Sequence, residues 1–253
     1  MTRTLRGRLL PVALIAALAI PCVVAADPAP PRAEQMLADA RVLLDRGDDL
    51  GALSKVEEAA ALAPRWPAPH ASLGLLYQQR SDEEAARRHF ARCQFLGLLD
   101  SGAADDRLTH EIAEAEALLI YLVNSERAAR RLPALIPHAK LAQVARAHSE
   151  EMAALEYFSH QSPTAATRTL SDRFRRVFGF PPRYLAENLS RMSSRPLWSF
   201  NLDNVRGSHQ RLMESPNHRA AILDQRPTHI GVGIAVNERG DYWITENFAL
   251  LDR

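Results

Sequence analysis

The hydrophobic and polar positions fall into successive patterns. An uncharged, largely apolar stretch runs from Leu9 to Ala26, behind Arg3, Arg6 and Arg8. Beyond a proline-rich break the period becomes helical. Leu108, Ile112, Ala115, Leu119 and Leu122 share one helix face, and Pro133 and Pro137 end that helix. Leu141, Val144, Ala145, His148, Met152 and Leu155 mark a second helix, and Asp203 to Met213 a third. Towards the C-terminus the period drops to two. Ile230, Val232, Ile234 and Val236 alternate with Gly231, Gly233 and Ala235, which predicts a strand. Asn237 to Asp241 is a turn and Tyr242 to Ala249 a second strand, so the chain ends in a hairpin. Helices first and antiparallel strands last predict an α+β or layered α/β/α domain over about residues 107–253.

Between residues 33 and 100 the sequence repeats itself. A shift of 34 residues lays Ala40 on Gly74, Leu43 on Tyr77, Ala52 on Ala86, Val56 on Phe90 and Ala59 on Cys93, and Pro64 closes the first copy. Small residues fall where two helices must touch. The period resembles the tetratricopeptide repeat, with copies at 33–66 and 67–100. Such helical repeats offer a concave surface to a protein or peptide partner. Two copies are fewer than an array needs to stand alone, so this all-α segment should lean on its neighbour or on another protein. Residues 101–106, small and acidic, mark the boundary.

The N-terminal pattern describes a signal peptide. A basic start, a short apolar run and the small residues Val24-Ala25-Ala26 before Asp27 fit a leader spanning residues 1–26. Pro11 and Pro21 argue against a spanning helix there. Pro21 is also a poor neighbour for a lipidated Cys22. Residues 27–32 form a short linker. Cleavage would leave Cys93 as the single thiol, so no internal disulfide is possible and stability must come from packing. No later segment is long and apolar enough to cross a bilayer. The expected location is extracytoplasmic, either periplasmic or secreted. With 31 basic and 30 acidic residues, no basic excess points to nucleic acid. Two cysteines exclude a four-cysteine zinc site.

Four polar positions could carry chemistry: His160 in Tyr157-Phe158-Ser159-His160, Glu187 in Ala186-Glu187-Asn188-Leu189, and Glu214 and His218 in Glu214-Ser215-Pro216-Asn217-His218. These segments resemble the CAP superfamily of cysteine-rich secretory, antigen 5 and pathogenesis-related proteins, in its bacterial form. The resemblance runs over about residues 116–250. It begins at Leu122-Val123-Asn124-Ser125-Glu126-Arg127 and passes through Ala147-His148-Ser149-Glu150-Glu151-Met152. It continues through Ser215-Pro216-Asn217-His218-Arg219-Ala220-Ala221-Ile222-Leu223 to Trp243-Ile244-Thr245-Glu246-Asn247-Phe248. It implies an α-β-α sandwich with a cleft lined by a His/Glu/Glu/His tetrad, whose histidines can bind a divalent metal, often zinc. Carried over by motif, the histidines are His160 and His218 and the first glutamate is Glu187. The second glutamate falls on Ser215, one residue past Glu214. A one-residue helical step turns a side chain by about 100°, so Glu214 need not replace it. The stretch 190–206, with Trp198 and Phe200, is longer than usual for the family.

The chemistry of these residue types is compatible with a metal without requiring one. Imidazole nitrogen is a good zinc ligand, but two protein ligands make only a weak, exchangeable site. Ser159, Ser162 and Ser215 lie beside histidines, yet no Gly-x-Ser-x-Gly elbow accompanies them. His148, on an apolar helix face, reads as a buried, hydrogen-bonded core residue. His229 and Cys93 read as structural. Glu187 is either a buried, satisfied carboxylate or a cleft group. Two functions compete. One is an exported, non-enzymatic binding protein with a cleft for a small ligand or Zn2+ and a protein-binding helical segment. The other is a metal-dependent hydrolase with Glu187 as general base. Lipid or sterol binding ranks below both, since no aliphatic groove can be read.

Overall fold

The computed structural model describes residues 30–193 and 200–251. The expected leader (residues 1–26), the first half of the expected linker (27–29) and Trp198 lie outside the described residues. Four helices come first: α1 (Pro31–Asp45), α2 (Asp49–Leu62), α3 (Pro67–Gln79) and α4 (Glu83–Asp100). Their starts are written locally. α1 and α3 open on a proline in the first turn, where the missing N–H costs nothing. Asp48 and Asp82 cap α2 and α4 by accepting from the main-chain N–H of Gly51 and Ala85. α1 pairs with α2 and α3 with α4. At the second pairing a Cβ on Gly74 would overlap the ring of Phe90, which is fully buried.

These helices do not stand apart. α4 packs along α5 (Arg107–Ala129) and touches α6 (Ala139–Ala154), and α3 meets the strand β1 (Ile136–Pro137). Val56, Leu73 and Phe90 belong to the same continuous apolar core as Leu118, Val123 and Ile230. Gln78 donates to the carbonyl of Tyr121 at 2.8 Å. The most buried link is polar. Arg146 of α6 grips Glu116 of α5 through two bonds, at 2.9 and 2.5 Å, and reaches the carbonyl and side-chain oxygens of Gln94 on α4.

The rest of the chain builds three layers. After α6 come a 3-10 turn (Ala165–Thr167), α7 (Leu170–Phe178), β2 (Leu185–Met192), α8 (Leu202–Glu214), α9 (Pro216–Leu223), β3 (His229–Val236) and β4 (Tyr242–Ala249). The sheet order is β1-β3-β4-β2, with β1 parallel to β3 and the other pairs antiparallel. Alternation along β4 assigns the faces. Trp243, Thr245, Asn247 and Ala249 turn towards α6 and α7: Ser149 bonds Thr245 at 2.8 Å, and Leu141, Phe174 and Ala249 cluster. Tyr242, Ile244, Glu246 and Phe248 turn towards α5, α8 and α9, where Ser208 meets the Tyr242 hydroxyl. This is the α-β-α arrangement within an α+β fold, with an all-helical segment before it.

The C-terminal hairpin lies where period two places it. Its small positions have a reason: a Cβ on Gly231 or Gly233 would overlap the main chain of α6 at Leu141–Ala142 and Ala145–Arg146. Gly233→Ala is therefore expected to push helix and sheet apart at a cost of about 1–3 kcal/mol, read as a lower midpoint in urea unfolding. One boundary differs from the sequence reading. α5 stops at Ala129, not at Pro133, because Arg131 adopts φ 59° and turns the chain back.

Candidate functional site

His160 lies on the loop between α6 and α7, and that loop is pinned from inside. The carbonyl of Ser159 is 3.0 Å from Nε2 of His148, a ring with no solvent exposure. Tyr157 and Ser162 both donate to the carboxylate of Glu151, at 2.7 and 2.8 Å. Arg173, at the start of α7, donates to the carbonyls of His160 and Thr167. The α7 start is itself fixed by a reciprocal cap between Thr169 and Asp172.

Glu187 comes from β2 and faces α6 and α7. Its side chain is only 4% exposed. Arg173 Nη2 donates to both oxygens, at 3.0 and 2.7 Å, and the Nδ1 of His160 lies 3.0 Å from Oε1. The carboxylate thus sits between a guanidinium and an imidazole. A carboxylate accepts, so the neutral His160 ring carries its proton on Nδ1 and leaves Nε2 as a lone pair. That ring is 57% exposed.

His218 enters from α9. Asn188, the next residue after Glu187 on β2, faces the opposite side of the sheet and donates from Nδ2 to the main-chain oxygen of His218 at 3.1 Å. Adjacent residues of one strand therefore hold both histidines. The His218 ring is half-buried, and burial, aided by the charge of His160, holds its pKa below the ordinary imidazole value.

Glu214 behaves differently. It is the last residue of α8, exposed, and accepts from Gln210 of the same helix at 3.0 Å. No hydrogen bond or ion pair joins it to His160, Glu187 or His218 among the described residues. Ser215 is the joint between α8 and α9: its N–H bonds Arg211 and its carbonyl accepts from Arg219. Ser159 accepts from the N–H of Gln161 and Ser162 is bound to Glu151, so neither hydroxyl is hydrogen-bonded to an imidazole among the described residues. Phe200 packs edge-on against Tyr242 at 5.5 Å, at the rim of the core. His229 opens β3, fully buried, with Nδ1 2.7 Å from the Thr228 hydroxyl, and Cys93 is buried.

Sequence reasoning did not find Arg173. It is 4% exposed while Arg175 and Arg176 on the same helix are exposed, and nothing in the local pattern separates them. It also did not find the use made of Asn188. Among the described residues no group of three or more His, Cys, Asp or Glu side chains is placed to hold a metal ion. Imidazoles such as those of His160 and His218 are a donor type that suits zinc, but two of them fall short of the four ligands of a structural site.

The sequence model of the Cysteine-rich secretory protein family (CAP) matches residues 120–248, about half of the chain. Uncharacterized protein YkwD of Bacillus subtilis (strain 168) is 31% identical over 137 residues, which make up 54% of this chain and 48% of that protein. The chain thus spans about half the length of the curated relative it matches. An extracellular protein containing a SCP domain from Bacillus anthracis str. Ames aligns at 25% identity and a TM-score of 0.46, over 62% of this chain and 50% of that chain. An outer surface protein from Borrelia burgdorferi aligns at 16% identity and a TM-score of 0.46, over 55% and 94% respectively. No helix among the described residues is long and apolar enough to cross a membrane.

Proposed function

This chain belongs to the Cysteine-rich secretory protein (CAP) family, and from that premise we propose an exported binding protein rather than an enzyme. Its cleft is built on His160, Glu187 and His218, and its ligand is a small molecule or a weakly held divalent cation such as Zn2+. The single observation that carries the reading is the engagement of Glu187. Both of its oxygens accept from Arg173 and one also faces His160. A carboxylate tied in this way orients an imidazole well. It is poorly suited to take a proton from an attacking water, as the hydrolase alternative requires.

Zinc, when bound, would supply a cation for a ligand's anionic or carbonyl oxygen. The chain's own part is to fix the His160 tautomer through Glu187 and to present Nε2 outward. The helical segment α1–α4, read as two tetratricopeptide-like repeats, adds a surface for a protein or peptide partner. Export follows from the leader pattern of residues 1–26.

Titration calorimetry with zinc tests the cleft. The wild-type chain is expected to show weak, saturable binding, as befits a site short of four ligands. The double variant His160→Ala/His218→Ala should lose it. Equal heats in both would remove the metal from the proposal. A chelator-sensitive peptidase activity abolished by Glu187→Gln would replace the binding reading by the hydrolase.

A further inference from the structure

Beneath the cleft lies an acid group that the site as described does not use. Glu246 is fully buried on β4, on the sheet face that carries α5, α8 and α9. In register it lies between Asn188 of β2 and Val232 of β3. Its Oε2 accepts from the Nδ2 of Asn188 at 3.2 Å, and its Oε1 has no hydrogen-bond partner among the described residues. The same Asn188 nitrogen makes the 3.1 Å bond to the main-chain oxygen of His218. An amide nitrogen has two hydrogens. One serves the core acid and the other serves the turn that carries a cleft histidine.

We propose that Glu246 and Asn188 form a proton-linked anchor for His218. The inference rests on the cleft reading of His218 and concerns how the cleft is regulated. With its proton, Glu246 is a neutral acceptor and Asn188 is shared between it and His218. Without the proton, a buried carboxylate faces this one donor. Charge-assisted hydrogen bonds are shorter and about twice as strong. The amide is then drawn towards Glu246, which lengthens and weakens the bond from its other hydrogen to the first turn of α9.

The surroundings favour a titration near neutrality. Burial lifts the carboxyl to about 7, against the opposing pull of the Asn188 bond. Charged groups on the helices over this face have other partners or neighbours, among them Arg219 of α9, which donates to the carbonyl of Met213. Glu116 of α5 is held by Arg146, and Arg127 of α5 by the carbonyls of Pro133, Ile222 and Asp224. Arg211 of α8 bonds Ser208 and the Met192 sulfur. His209 of α8 lies near Glu126 and Arg206, with burial holding its own pKa down to about 4. None of these hydrogen-bonds Glu246 among the described residues. Because the folded-state pKa lies above that of a free glutamate, the stability this group contributes is present at acid pH. It is lost as the pH rises through about 7. The anchor is therefore tight on the acid side and loose on the alkaline side.

The test follows the His218 ring by NMR in the full chain over about pH 5–9, with the signal assigned through His218→Gln. The wild-type ring should show its own titration and a second inflection near neutrality. The Glu246 side-chain carboxyl carbon should titrate together with that second inflection. Glu246→Gln, which keeps the volume and an acceptor for Asn188, should abolish the second inflection and leave the first. A single inflection in the wild type overturns the proposal. So does a second inflection that survives in Glu246→Gln, or a Glu246 carbon that titrates apart from it. If the variant does not fold, the two wild-type signals still decide. Zinc gives a separate arm: at about pH 8 wild type should bind a few-fold more weakly than Glu246→Gln. If neither protein binds zinc, the cation reading of the cleft fails while the ring and carboxyl signals still judge the anchor.

Discussion

Arg146→Ala is expected to destabilise the protein by about 3–5 kcal/mol, the usual cost of leaving one member of a buried ion pair without its partner. Its partner, Glu116, is fully buried and would keep only the main-chain N–H of Ile234, at 3.2 Å. Burial already pushes the Glu116 carboxyl above the ordinary carboxylate range, against the pull of Arg146. With the arginine gone that displacement should grow. A raised folded-state pKa means stability that is present at acid pH and lost as the pH rises. The variant should therefore be least damaged at low pH and worst at neutral and alkaline pH. Thermal melts at two pH values check this, with a drop of roughly 10 °C or more at neutral pH. The double replacement Glu116→Gln/Arg146→Met should recover much of the loss, because well-packed neutral groups often match a buried ion pair. A single variant that melts like wild type would show that water reaches Glu116.

Arg173→Ala is expected to cost a similar amount, again about 3–5 kcal/mol, and to act on the proposed cleft as well. It removes both hydrogen bonds that the guanidinium gives Glu187 and the bonds to the carbonyls of His160 and Thr167. Glu187 would be left with His160 alone. Arg173→Lys should rescue little, because an ammonium cannot span a carboxylate and two carbonyls from one planar fork. Equilibrium urea unfolding gives the stability term. Amide hydrogen exchange between Ser159 and Thr167 gives the local one, and should quicken in the variant by more than global unfolding explains. Unchanged exchange in that loop would mean that His148 and Glu151 hold it without help.

What the sequence reveals and what it hides has a common cause. Elements whose apolar face points one way were readable: α5, α6, α8 and the β3–β4 hairpin all follow their period. Even the glycines of β3 were visible as the small half of an alternation, although the reason for them, the close approach of α6, needs coordinates. β2 was not readable as a strand. Its third and fourth residues are Glu187 and Asn188, each committed to a polar partner on opposite faces, so no hydrophobic alternation marks it. α9 is short and opens on Pro216, and α7 hides its key arginine among two exposed ones. His160 and His218 stand out in the sequence through the motifs around them. Arg173 does not, because its role exists only where α7 meets β2.

The union of α1–α4 with the rest of the chain has a mechanical consequence. α4 lies against α5 and α6, and a short connection over residues 101–106, turning at Gly102, separates α4 from α5. A guest on the helical segment and a guest in the cleft would not swing independently, as beads on a string do. The molecule would work as a bracket, presenting both at a set distance and angle, and whatever it joins must already match that geometry.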